Sequence, residues 1–189
     1  SLSPNQEIIF SGKYTDRIVR SIDSIDDPSP DKSDLSGFQV EGQHLFREKY
    51  FNSIMGGGAY YFNNKFGSNL DRKNIYIYTN TSSISNLNTT LALSYDSFSN
   101  TVDARTDKLN PKFGLQWDIT SFLRLRAAWF ETTKSHLIAQ QSLEPTQVAG
   151  FNQFFDDPNG TKAKRMGIGL DSRVLNKLFS GIEVSERDL

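Results

Sequence analysis

The sequence predicts an all-β protein, folded as an antiparallel up-and-down meander of about nine strands, and three observations carry that reading. Apolar and polar residues alternate with period two along most of the chain, the pattern of strands with two unlike sides. The connections between alternating runs switch regularly between long and short. Aromatic residues reach 12%, with 14 Phe and 7 Tyr, a composition that favours strands over helices.

The alternation is clearest in residues 109–133, LNPKFGLQWDITSFLRLRAAWFETT. Phe113, Leu115 and Trp117 share one parity, opposed by Lys112, Gly114, Gln116 and Asp118. After Ile119, Thr120 and Ser121 the pattern resumes, with Leu123, Leu125, Ala127 and Trp129 opposed by Arg124, Arg126 and Ala128. So short a link makes the two arms antiparallel neighbours whose apolar faces lie on one side of a sheet.

From the amino terminus, the first strand is expected at residues 6–15 (QEIIFSGKYT), followed by a long polar loop over 16–36, where Pro28 and Pro30 sit among Asp and Ser. Residues 37–46 alternate again, with Phe38, Val40, His44 and Phe46 against Gln39, Glu41 and Gln43. A turn at 47–49 leads into 50–63, where Ile54, Tyr60 and Phe62 share a parity, and Gly56, Gly57 and Gly58 point to a bend, a bulge or the close approach of another segment. Residues 64–72 form a longer connection and 73–80 the fourth strand; 82–86 is a short link and 87–97 the fifth strand, with Leu91, Leu93 and Tyr95 on one face. Residues 98–108 are again a longer loop, leading to the hairpin. Beyond it, 132–160 shows no sustained alternation; 162–173 sets Met166, Ile168 and Leu170 against Arg165, Gly167, Gly169 and Asp171, and a tight link at 175–177 returns the chain into 178–189.

Up-and-down barrels of bacterial outer membranes have short turns on one side and longer loops on the other, whereas a soluble Greek-key sandwich has no reason to alternate so regularly. The expectation is therefore one β-barrel-type domain over residues 1–189, with a soluble β-sandwich binding or adhesion module as the alternative. Single-chain bacterial barrels have even strand numbers, so an odd count of about nine implies a section of a larger barrel.

Composition narrows the function classes. A net charge of −1 presents no basic field for nucleic acid. The absence of Cys excludes disulfides, thiolate metal sites and thiol catalysis. Lacking any run of ~20 apolar residues, the chain has no helical membrane span, and that says nothing against strands that cross. Residues 1–5 show neither the charged nor the apolar region of a signal peptide.

Catalytic patterns are missing. His44 and His136 lack ligand spacing, Ser142 and Ser185 lack a nucleophile-elbow context, and Gly56–Gly58 is not followed by the Lys-Ser/Thr of a phosphate loop. Asp156 and Asp157 precede Pro158-Asn159-Gly160, a turn sequence in its own right, and the turn is favoured over a Ca²⁺ loop. No enzyme activity, metal or cofactor is expected.

In residues 109–189 the runs LNPKFGLQWDI and LRLRAAWFETTKSHLIAQQSLEPTQVAGFNQFFDDPNGTKAKRMGIGLDSRV resemble the barrels of TonB-dependent outer-membrane receptors and related barrels attached to tetratricopeptide-repeat regions. The shared pattern is N-P-K-x-G-L before L-R-x-A-x-F, then E-P-T-x-V-A-G-F-N-Q-F. The first ~105 residues share only the hairpin pattern. This resemblance implies location in the outer membrane of a Gram-negative bacterium and movement of a solute, with outer-membrane lipid, an unknown solute or surface ligand and an energy-coupling periplasmic protein as partners. An amino-terminal plug with an energy-coupling box and a terminal aromatic are both absent from the sequence, so transport would need further parts.

Two groups of residues are the functional expectation. The loop over 132–161 is expected outside the membrane, with Phe151, Phe154 and Phe155 beside Asn152, Gln153, Asp156 and Asp157 as ligand contacts. By parity, Leu115, Trp117, Leu123, Leu125 and Trp129 are expected to face lipid, and Gln116, Asp118, Arg124 and Arg126 the lumen.

Overall fold

Strands that alternate in character need partners on both edges, and a meander supplies them in chain order. In a computed structural model of the protein, which describes residues 4–21, 31–64, 69–100, 106–134, 141–154, 161–175 and 178–189, nine long strands form one antiparallel sheet. They are β1 (Gln6–Ser21), β2 (Asp31–Arg47), β3 (Phe51–Asn64), β4 (Leu70–Ile84), β5 (Leu87–Asn100), β6 (Thr106–Thr120), β7 (Leu123–Thr133), β10 (Lys162–Leu175) and β11 (Leu178–Asp188). Between β7 and β10 lies a separate small hairpin, β8 (Gln147–Val148) and β9 (Phe151–Asn152). The sheet order is β1-β2-β3-β4-β5-β6-β7-β10-β11, so each long strand pairs with its neighbours in sequence. Among the described residues there is no helix.

The strands outrun their sequence signals. Residues 16–21 and 31–36, expected in a polar loop, continue the β1–β2 ladder to Ser21↔Asp31; Pro28 and Pro30 lie outside the described residues. Likewise β5 reaches Asn100 and β6 begins at Thr106. Backbone pairing with a strand already in place sustains extension where side-chain pattern fades. The triple glycine produces no bulge: Gln43↔Gly56, Gly42↔Gly57 and Glu41↔Gly58 keep register. Close approach is its use, since a Cβ on Gly56 would stand 2.5 Å from the Tyr76 hydroxyl.

The two faces of the sheet are partitioned against the habit of soluble proteins. One face carries Ile8, Phe10, Phe38, Val40, Met55, Ile75, Ile77, Leu93, Phe113, Trp117, Ile168 and Ile182, all exposed, Phe10 by 81% and Ile182 by 74%. The other carries Gln39, Glu41, Arg72, Asn74, Asp96, Asn110 and Lys112, all buried, Gln39 and Asn110 to 0% and Lys112 to 3%. In β3 the residues of shared parity, Ile54, Tyr60 and Phe62, turn toward this buried polar face, where Tyr60 meets Glu41.

Candidate functional site

What buries the polar face is residues 141–153, which cross it as a strap from β2 to β10. At the β2 end, Gln141 O accepts from Gln39 Nε2 at 2.8 Å and Lys13 Nζ at 3.1 Å. Glu41 Oε1 then accepts from three donors: Ser142 Oγ at 2.7 Å, the Leu143 N–H at 3.1 Å and Tyr60 OH at 2.7 Å. Gln43 Nε2 donates to Leu143 O at 2.6 Å and to Tyr76 OH at 3.1 Å. A carboxylate saturated by donors in this way is a satisfied buried charge, which is the condition for tolerating one inside a protein.

Over β4 and β6 the strap supplies Glu144. Its carboxylate accepts from Tyr78 OH at 2.8 Å and Asn74 Nδ2 at 3.4 Å and lies 3.7 Å from Lys112 Nζ. Lys112 also donates to Gln153 Oε1 at 2.7 Å, and Gln153 returns to the strap through a bond from its Nε2 to Pro145 O. Beside this cluster, Arg72 pairs with Asp96 at 2.5 Å between side chains that are both almost wholly buried, and its guanidinium lies 4.5 Å from the centre of the Tyr60 ring. Asp96 also accepts from Asn110 at 2.9 Å, and Asn110 from Thr133 at 3.0 Å.

The strap ends in the β8–β9 hairpin, whose two-residue turn has positive φ at both Ala149 (49°) and Gly150 (86°), as a type I′ turn requires. Alanine is uncommon there; its methyl group is packed on β6, where a Cβ on Gly114 would stand 2.8 Å from that of Ala149. Val148 and Phe151 are wholly buried and join Tyr76, Tyr78, Ala128 and Phe130 in the apolar core beneath the hairpin. Phe151 lies on bare backbone at Gly167, between the guanidinium groups of Arg126 (5.0 Å) and Arg165 (5.6 Å).

The motif Asn110-Pro111-Lys112 has a structural reason. Pro111 pairs with Leu93 on the β5 side, but the β6–β7 ladder stops at Lys112↔Phe130, one residue before the proline. A proline has no N–H to donate. The Glu131 carbonyl instead accepts from Lys112 Nζ at 3.4 Å, on the polar face.

Of the expected loop contacts, Phe151 and Gln153 have their side chains buried against the sheet, Asn152 is exposed and Phe154 half-buried; Phe155, Asp156 and Asp157 lie outside the described residues. Gln116, Asp118, Arg124 and Arg126 all lie on the polar face, paired as Gln116↔Arg126 and Asp118↔Arg124. Arg124 bonds Asp118 at 2.6 Å, and Arg126 bonds Asp171 through two contacts of 2.6 and 3.0 Å. Toward the short-turn end the same face holds a cavity of about 480 Å³ lined by Asp118, Arg124, Asp171, Arg173, Phe179 and Gly181 among others. Sequence reasoning did not select Tyr60, Arg72, Asn74, Tyr76, Tyr78, Asp96 or Glu144. Arg72, Asn74, Tyr76, Tyr78 and Asp96 occupy the parity opposite an apolar run, a signal that extending the hairpin's face assignment across the sheet would have exposed; Tyr60 shares the parity of Ile54 and Phe62, and its pairing with Gln39 and Arg72 alone sets its side of the sheet.

No family model matches this sequence, and no curated protein matches it. Among solved structures the chain is similar to the alcaligin outer membrane receptor FauA from Bordetella pertussis, at 13% identity and a TM-score of 0.45 over 99% of this chain. It spans 41% of the length of that protein.

Proposed function

We propose that this chain is a section of a bacterial outer-membrane β-barrel of the TonB-dependent receptor kind, in which the apolar face meets lipid and the polar, strap-covered face lines the interior through which a solute passes. One observation carries the reading. A long sheet buries charged and amide side chains and leaves its aliphatic and aromatic face bare, the arrangement that a hydrocarbon surround makes favourable and water does not. A soluble sandwich would cover that apolar face with a second sheet, and among the described residues nothing lies on it. Supporting the reading are strands of 11 to 17 residues, enough for the ~9–11 that a tilted strand needs to cross. Solute contact is assigned to the cavity beside Asp118, Arg124 and Arg173 and to the end of the strap, at the exposed Asn152 and the half-buried Phe154 that follows it. An energy-coupling periplasmic protein is part of the same proposal, as a partner of the complete barrel.

The test is fluorescence of single-Trp variants in vesicles carrying lipid-attached quenchers. Trp117 and Trp129 both lie on the apolar face, so both are expected to be quenched from the bilayer. If neither is, the sheet does not face lipid and the sandwich reading takes its place.

A further inference from the structure

We infer that the apolar face carries a seat for one acyl chain of an anionic membrane lipid, at the point where the β6–β7 ladder stops; the inference rests on the membrane orientation proposed above. A groove of about 470 Å³ lies there, lined chiefly by Ile77, Leu91, Leu93, Pro111, Phe113 and Trp129. Register explains its position. Ile77↔Leu93↔Pro111 and Leu91↔Phe113↔Trp129 run as adjacent rows across four strands. In the first row the compact proline ring replaces a longer side chain, and beyond it no ladder bond holds β7 against β6. The result is a recess with apolar walls, suited to a flexible hydrocarbon chain.

The charge at one end of the groove selects the headgroup. Lys164 Nζ stands 6.0 Å from the centre of the Trp129 ring, and the side chain is exposed. Its cross-strand neighbours are Glu131 and Asp188. Glu131 is taken by Lys162 at 2.5 Å, and Lys164 makes no ion pair among the described residues. It lies two residues from the start of β10, on the side of the long connections. A chain lying along the groove with its ester end toward Lys164 places a phosphate beside that ammonium, and an indole next to a lysine is the usual furniture of a membrane interface.

The Trp117→Phe variant leaves Trp129 as the only tryptophan, since the chain has 2. It is reconstituted in phosphatidylcholine vesicles containing a minor fraction of lipid brominated on its acyl chains, either phosphatidylglycerol or phosphatidylcholine. Brominated phosphatidylglycerol is expected to quench Trp129 as though enriched about fivefold, the factor corresponding to ~1 kcal/mol for one basic residue at the interface. Adding Lys164→Gln should abolish the preference and leave quenching itself in place. Equal quenching by both brominated lipids, or a preference that survives Lys164→Gln, overturns the inference while the membrane orientation stands. Absence of quenching by either lipid overturns both.

Discussion

Ser142 donates its hydroxyl proton to Glu41 at 2.7 Å, joining β2 to the strap across 101 positions of sequence. The same carboxylate oxygen receives the Leu143 N–H and the Tyr60 hydroxyl, so one side chain gathers three donors where the strap meets the wall, beside the bonds that Gln39 and Gln43 make to Gln141 O and Leu143 O. Glu41→Ala strands three donors and is expected to destabilise the fold by about 3 kcal/mol, since each buried donor left without a partner costs ~1–3 kcal/mol. Amide hydrogen exchange checks it: the Leu143 N–H should lose protection first, while the β4–β5 ladder keeps its own.

Docking of the hairpin depends on the Phe151 ring filling the space over Gly167. Phe151→Ala should cost ~3–5 kcal/mol, the range for a fully buried aromatic. Gly167→Val should mimic the loss, because a Cβ there would stand 2.6 Å from the ring. Cleavage within residues 134–161 by an added protease reports on both; protection equal to that of the parent protein would show that the hairpin is held by its neighbours alone.

Lys112 and Glu144 form a buried pair that also serves Gln153 and Tyr78. Removing one partner with Lys112→Met leaves a buried carboxylate and is expected to cost ~3–5 kcal/mol. The double variant Lys112→Met with Glu144→Gln should recover part of that loss. A double-mutant cycle in urea reads the coupling, and simple additivity would mean that the two charges do not see each other.

The two faces should respond oppositely to charge. Ile168→Arg on the apolar face is expected to cost ~2–4 kcal/mol of membrane-inserted stability, whereas Arg124→Gln on the polar face, which removes an exposed ion pair with Asp118, should cost less than ~1 kcal/mol. Arg126 is not a comparable control, although its parity matches: it holds Asp171 in a two-point bond and lies against Phe151. Refolding into vesicles, followed by gel migration with and without boiling, compares the variants.

Strand number, order and facing were legible in the chain because each rests on local pattern. Alternation assigns every residue of a strand to one of two sides, and short links force neighbours to pair, so Arg124, Arg126, Gln116 and Asp118 fall together on the polar face as their parity requires. Strand ends were not legible: residues 16–21 and 31–36 are extended because each is the other's hydrogen-bond partner, a relation that neither segment carries alone. The strap lay further out of reach. Residues 141–153 have no period of their own, and their partners are remote, with Tyr78 66 positions from Glu144 and Gln39 102 positions from Gln141. Which side of the sheet is buried was likewise a tertiary decision. Parity sorts residues into two faces, but only a segment arriving from elsewhere, carrying donors and acceptors that match Glu41, Tyr78 and Lys112, can make the polar face the interior and leave the apolar one outside.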